Sequence, residues 1–203
     1  MEVVFVVTGE DKPVGRHQVI TANEVKTLAL KQGINVLQPA KIRGNTEFFD
    51  TIRSYDADYF VVVAYGKILP SEVLDAPKKQ CINIHGSILP KYRGASPIQA
   101  ALINGETETG VTIMCMDEKM DEGDTIDIVN IPIETSETAG TLFEKFGEIS
   151  GRFAIDTIKR LDADILKPTP QDHSQATYCS KISKEDGRLD FSKSAKELYH
   201  LWQ

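Results

Sequence analysis

Short continuous apolar runs alternate along the chain with stretches whose apolar residues recur at helical spacing. Glu2-Val-Val-Phe-Val-Val7 is β-branched and aromatic until Thr8-Gly9 ends it, which predicts a strand buried on both faces rather than one half exposed. Lys12 to Gln18 reads as a polar loop. Over 22–32, Val25, Leu28 and Ala29 fall on one helical face before Gly33 stops the helix. Residues 34–37 predict a strand, Thr46 to Ser54 a helix, and Tyr59 to Ala64 a strand with an unbroken apolar run. Strands alternating with helices give a Rossmann-like α/β fold, a mostly parallel sheet with helices on both faces.

The alternation continues with a turn and short helix at 70–74 and a strand from Cys81 to His85. A loop rich in Pro and Gly then runs to Ser96. A helix from Pro97 to Asn104 comes next, with proline at its first position, where a missing N–H costs nothing. Gly110 to Met116 and Thr125 to Ile133 read as strands flanking an acidic loop, and Thr141 to Leu161 as a long amphipathic helix. After Lys167-Pro-Thr-Pro170 the character changes. Residues 171–188 are polar and irregular, and a last helix runs from near Ser192 to Gln203. The expected organisation is one domain over 1–166, then a linker and terminal helix over 167–203.

Composition narrows the function classes. With 41% hydrophobic and 26% charged residues, the chain of 203 residues has enough apolar material for one core and is neither disordered nor collagen-like. The run Tyr59 to Tyr65 is too short to span a bilayer, and the acidic Met1-Glu2 start lacks a positively charged leader. The chain is therefore expected to be cytoplasmic, with no membrane partner. Thirty acidic against 23 basic residues give a net charge of −7, so contact with a polyanion would have to be local. Cys81, Cys115 and Cys179 lie far apart without a Cys-x-x-Cys pair, which suggests neither a disulfide framework nor a zinc site.

Chemistry concentrates at one strand. Residues i and i+2 of a strand share a face, so Asn83 and His85 point together at the C-terminal end of 81–85, where ligand sites of open α/β sheets lie. Buried polar groups left unpaired cost about 1–3 kcal/mol each, so the pair must meet either core partners or a polar cavity. Cys81 shares that face. A thiol nucleophile paired with His85 is formally open, but buried cysteines are usually inert. His17, His173 and His200 read as surface residues.

The residues after this strand narrow the choice. His85-Gly-Ser-Ile-Leu-Pro-Lys-Tyr-Arg-Gly-Ala-Ser-Pro-Ile98 leads to Thr109-Gly-Val-Thr-Ile113 and then to Met116-Asp-Glu-Lys-Met-Asp-Glu-Gly-Asp124. This series resembles the folate-dependent formyltransferases, and the form Arg93 to Ile98 is most similar to their methionyl-tRNA branch. The resemblance extends to Lys12-Pro-Val-Gly-Arg16, to 61–70 and to Tyr178–Asp186. It implies a formyltransferase fold, with 10-formyltetrahydrofolate as co-substrate and no metal. It also implies Asn83, His85 and Asp121 as catalytic residues. Ala64, Tyr65, Gly66, Lys67, Ile68, Leu69, Ser87, Pro90 and Asp117 would contact the folate, and Lys12 and Arg16 would approach the acceptor end of initiator methionyl-tRNA. Glu118 and Glu122 keep their reading as a solvated acidic loop.

Those residue types suit the chemistry. An amine attacking a formamide carbon develops negative charge on oxygen and positive charge on nitrogen, which calls for fixed donors and a proton acceptor. Asn83 and His85 would supply them, with Asp121 orienting the imidazole and favouring its protonated form. The family pattern places a strand and helix before the run at 2–7 and a barrel after Gln203. The resemblance therefore implies a sheet one central strand short, either narrowed or completed by another segment or by another chain through strand exchange or dimerisation. It also implies weak tRNA binding. A nucleotide-sugar N-formyltransferase would use the same three residues on a smaller acceptor, and a folate-binding relic would bind donor without turnover.

Overall fold

The computed structural model describes residues 1–203, which divide into two compact units: 1–60 with 65–81, and 61–64 with 82–203. In the first unit, β1 (Phe5–Val7) pairs in parallel with β4 (Asn35–Leu37) as a two-stranded sheet. Helix α1 (Glu24–Lys31) starts where the Asn23 side chain accepts the Lys26 amide. Helix α2 (Thr46–Ser54) starts in the same way, with Asn45 accepting from Phe48. Each such cap stabilises its helix by about 1 kcal/mol. The buried face of α2 carries Phe48, Phe49 and Ile52, and burial of side chains this large contributes about 1.5–3 kcal/mol apiece.

Three expectations change here. The strand expected from Glu2 begins only at Phe5, and Val3 and Val4 are exposed. Having β4 as its one partner, β1 is bordered on a single side, so its apolar run is not enclosed. The expected polar loop is instead an antiparallel hairpin of β2 (Lys12–Val14) and β3 (Val19–Thr21). Its turn depends on left-handed backbone at Gly15 (φ 70°) and Gln18 (φ 51°), with the Gln18 amide bonded to the Gly15 carbonyl. In α1 the buried residue is Ala29, while Val25 and Leu28 face solvent.

The second unit holds most of a four-stranded sheet in the order β5 (Tyr59–Val63), β6 (Gln80–His85), β8 (Glu108–Cys115), β9 (Thr125–Pro132). Ile82, Val111, Ile113 and Ile131 are buried on one face of it and Met114 on the other, and Leu142 is fully buried as well. Leu142 belongs to α5 (Ala139–Asp162), which follows α3 (Ser71–Leu74) and α4 (Pro97–Ile103) along the chain and starts with a reciprocal capping pair between Thr138 and Thr141. The α/β class holds, but in this sheet β6–β8 and β8–β9 run antiparallel. Between β8 and β9 lies only the loop 116–124, and a parallel pair would need a crossover. The run in β5 is not buried, because β5 ends the sheet order and leaves Val61 and Val63 exposed. No helix is long and apolar enough to cross a membrane.

Residues 171–188 contain more order than their composition suggests. β10 (Tyr178–Cys179) pairs in parallel with β7 (Arg93–Gly94), and short 3-10 turns occupy 173–175 and 185–187. The terminal helix α6 (Ala195–Trp202) is capped by Ser194 and Glu197. Contrary to its reading as a surface residue, His200 has a buried Nε2, and its Nδ1 lies 2.9 Å from the Gln203 amide oxygen.

Candidate active site

Strand β6 delivers Asn83 and His85 to one face, opposite Met114 and Thr112 of β8. Asn83 is half-buried and His85 is 5% exposed. The ring of His85 is held from two sides: Nε2 lies 2.9 Å from the Tyr92 carbonyl, and Nδ1 lies 3.7 Å from Oδ1 of Asp121. A carbonyl only accepts, so the Nε2 proton is fixed and Nδ1 is the nitrogen turned toward the carboxylate.

Asp121 reaches this position from the loop after β8. Its backbone is left-handed (φ 54°), a region that costs a non-glycine residue about 1–3 kcal/mol unless its surroundings enforce it. Two bonds do so. Oδ2 accepts the Gly94 amide at 2.8 Å, and the Asp121 carbonyl accepts the Gln171 side-chain amide at 2.9 Å. Gly94 itself is demanded by close approach: a Cβ there would sit 2.1 Å from the Cys179 carbonyl oxygen.

The loop after β6 is built around Thr112, which is fully buried. Its hydroxyl donates to the Ser87 carbonyl at 2.6 Å and accepts the Leu89 amide at 3.1 Å. Ser87, also fully buried, donates through Oγ to the Lys91 carbonyl, and Pro90 comes after a cis peptide. The Tyr92 hydroxyl donates to Glu106 at 2.6 Å. Burial and then this bond push the phenol up to about 12. Burial also raises the Cys179 thiol, and burial together with the Asp124 charge pushes Cys115 up to about 11.

Of the residues expected at the site, His85 and Asp121 are in direct apposition, Asn83 shares the strand of His85, and Ser87 and Pro90 lie on the loop that leaves it. Ala64 is exposed at φ 44° in the same unit. Asp117 is exposed and its carboxylate accepts the Lys119 amide, closing its own turn. In the first unit, Gly66 is left-handed, Lys67 reaches the Pro39 carbonyl, Ile68 is 81% exposed and Leu69 is buried. The Tyr65 hydroxyl there is buried without a hydrogen-bond partner, the kind of orphaned donor that a polar heterocycle would satisfy. Lys12 and Arg16 are exposed on the β2–β3 hairpin. Sequence reasoning missed Thr112, Arg93 and Gln171. Arg93 opens the Arg93–Ile98 motif without a role of its own there, and Gln171 carries no local signal.

Residues 1–158 match the profile of the formyl transferase family. Among curated relatives, the methionyl-tRNA formyltransferase of Caldicellulosiruptor saccharolyticus is 44% identical over 199 residues, covering 98% of this chain and 63% of the relative. That of Desulfotalea psychrophila is 47% identical over 200 residues, covering 98% and 62%. The chain thus spans less than two thirds of the length of these relatives. Among solved structures, WlaRD, a sugar 3N-formyl transferase crystallised in the presence of dTDP and 5-N-formyl-THF, superposes with a TM-score of 0.73 at 22% identity. That match covers 97% of this chain and 67% of the other. An N-formyltransferase from Helicobacter canadensis, in complex with folinic acid and dTDP-3-aminofucose, gives a TM-score of 0.70 at 22% identity, covering 96% and 66%.

Proposed function

The chain belongs to the formyl transferase family, and from that premise we propose that it transfers a formyl group from 10-formyltetrahydrofolate to the amino group of methionine on initiator tRNA. The observation that carries this reading is the setting of His85 between the Tyr92 carbonyl and the Asp121 carboxylate, two residues along β6 from Asn83. The names of relatives at 44% and 47% identity support tRNA as the acceptor.

In this reading 10-formyltetrahydrofolate supplies the electrophilic formyl carbon. Asn83 donates its amide N–H to the oxygen on which negative charge develops as the amine attacks, an interaction stronger in the transition state than before it. His85 keeps its Nε2 proton on the Tyr92 carbonyl, takes the proton lost by the attacking amine at Nδ1, where Asp121 balances the charge, and returns it to N10 of the folate as the bond from N10 to the formyl carbon breaks and tetrahydrofolate leaves. Ala64, Tyr65, Gly66, Lys67, Ile68, Leu69, Ser87, Pro90 and Asp117 hold the folate. The exposed cations Lys12 and Arg16 meet the acceptor-end phosphates, a local attraction in an otherwise acidic chain. Residues 1–166 carry the reacting groups.

A second reading, transfer to a nucleotide-linked amino sugar, is favoured by the sugar N-formyltransferases among the solved structures of this fold. The test supplies 10-formyltetrahydrofolate with either methionyl initiator tRNA or a dTDP-linked amino sugar, to the unaltered chain and to His85→Ala. Formylated methionyl-tRNA is the expected product, with a loss of roughly 10²–10³-fold in His85→Ala. Equal rates in both proteins would overturn the assigned roles, and product from the sugar alone would overturn the acceptor.

A further inference from the structure

We infer that Arg93 and Gln171 are positioning residues that set the Asp121 carboxylate, which makes the segment after Pro170 a working part of the site. The catalytic consequence rests on the formyl-transfer reading; the geometry does not.

The Arg93 side chain is 1% exposed, so its five N–H groups must find partners inside the protein. Nε and Nη2 both donate to Oε1 of Gln171, at 3.2 and 2.7 Å. Nη1 donates to the Tyr178 hydroxyl at 3.2 Å, and Nη2 lies 3.1 Å from Nδ1 of His173. The carboxylate of Glu122 stands farther off, 3.7 Å from Nη1. Because a guanidinium has donors only, the orientation of the Gln171 amide is determined: oxygen to Arg93, nitrogen away from it. That nitrogen donates to the carbonyls of Asp121 at 2.9 Å and Gly123 at 2.7 Å. The amide therefore turns a buried cation into a two-pronged grip on the loop backbone on either side of Glu122.

The next residue along the chain from Arg93 completes the grip. Gly94 gives its N–H to Oδ2 of Asp121, so the β7 pair holds this residue by its backbone, through Gln171, and directly by its side chain. Pairing of Tyr178 with Arg93 and of Cys179 with Gly94 closes the arrangement on its far side. A buried guanidinium satisfied mainly by neutral acceptors is a poor way to gain stability, since apolar packing of the same volume usually does as well or better. What it supplies here is one permitted position for a left-handed aspartate.

The test compares the unaltered chain with Gln171→Glu, which keeps an acceptor for Arg93 but loses both N–H donors to the loop. Gln171→Asn retains the amide on a stem too short to serve both sides, and provides a second variant should the first fold poorly. Exposed Gln175→Ala on the same segment is the control. Two readouts are taken: the amide proton resonance of Gly94, which reports its bond to Asp121, and kcat and KM for formyl transfer. In Gln171→Glu the Gly94 resonance should move upfield toward its position in Asp121→Ala. The kcat should fall roughly 10- to 100-fold with little change in donor KM, as expected for a misplaced catalytic group. A Gly94 resonance and a kcat both unmoved, with only the melting temperature lowered, would overturn the inference. If the unaltered chain transfers no formyl group to any amine, the proposed reaction is overturned, and the Gly94 resonance alone still decides whether Gln171 sets Asp121.

Discussion

The Asp121 carboxylate stands 3.7 Å from Nδ1 of His85 on a backbone turned to φ 54°. Charge and strain can therefore be separated at one position. Asp121→Asn keeps an acceptor for the Gly94 amide and a residue tolerant of the left-handed region, so it should melt near the unaltered protein while kcat falls by roughly 10²-fold. Asp121→Gly and Asp121→Ala should both be inactive, with the glycine variant the more stable by about 1 kcal/mol in urea, because only it escapes the left-handed penalty. An alanine variant as stable as the glycine one would show that the turn is not strained.

Thr112→Val tests the loop that carries Ser87 and Pro90. The change nearly preserves volume but strands the Ser87 carbonyl and the Leu89 amide in a fully buried place. Urea denaturation should show a loss of about 1–3 kcal/mol. No loss would mean that the loop is held by other bonds.

Tyr92 gives a pH-dependent signature. Its phenol rises from 10.0 to about 12 through burial first and its bond to Glu106 second. The folded state thus holds this proton more tightly than the unfolded chain does. Its stabilisation is complete below pH 10 and lost as the pH climbs to about 12. Phenolate absorbance should show late-titrating tyrosines, because burial also raises the Tyr65 phenol, and Tyr92→Phe should remove the step near pH 12.

Cysteine labelling checks the thiols. Cys81 is 2% exposed, Cys115 is pushed up to about 11, and Cys179 is raised by burial. Thiolate is the reactive form, so alkylation at neutral pH should be far slower in the folded chain than in urea for all three. Rapid modification of any one in the folded protein would contradict this and would reopen a thiol nucleophile if that residue were Cys81.

Much of this protein was legible along the chain because the causes are local. Asn45 and the spacing of Phe48, Phe49 and Ile52 determine α2, and the two-residue period of a strand puts Asn83 and His85 on one face wherever β6 lies. Tertiary structure decided what depends on distant neighbours. Val3, Val61 and Val63 have the residue types of buried strands but are exposed, because burial depends on which strand lies alongside and not on the residue itself. The Asp121 carbonyl and Gln171 are 50 positions apart, joined by an amide that no periodicity marks. Hydrophobic pattern encodes which face a residue turns inward, whereas a hydrogen bond between distant side chains exists only once the chain has brought both ends together.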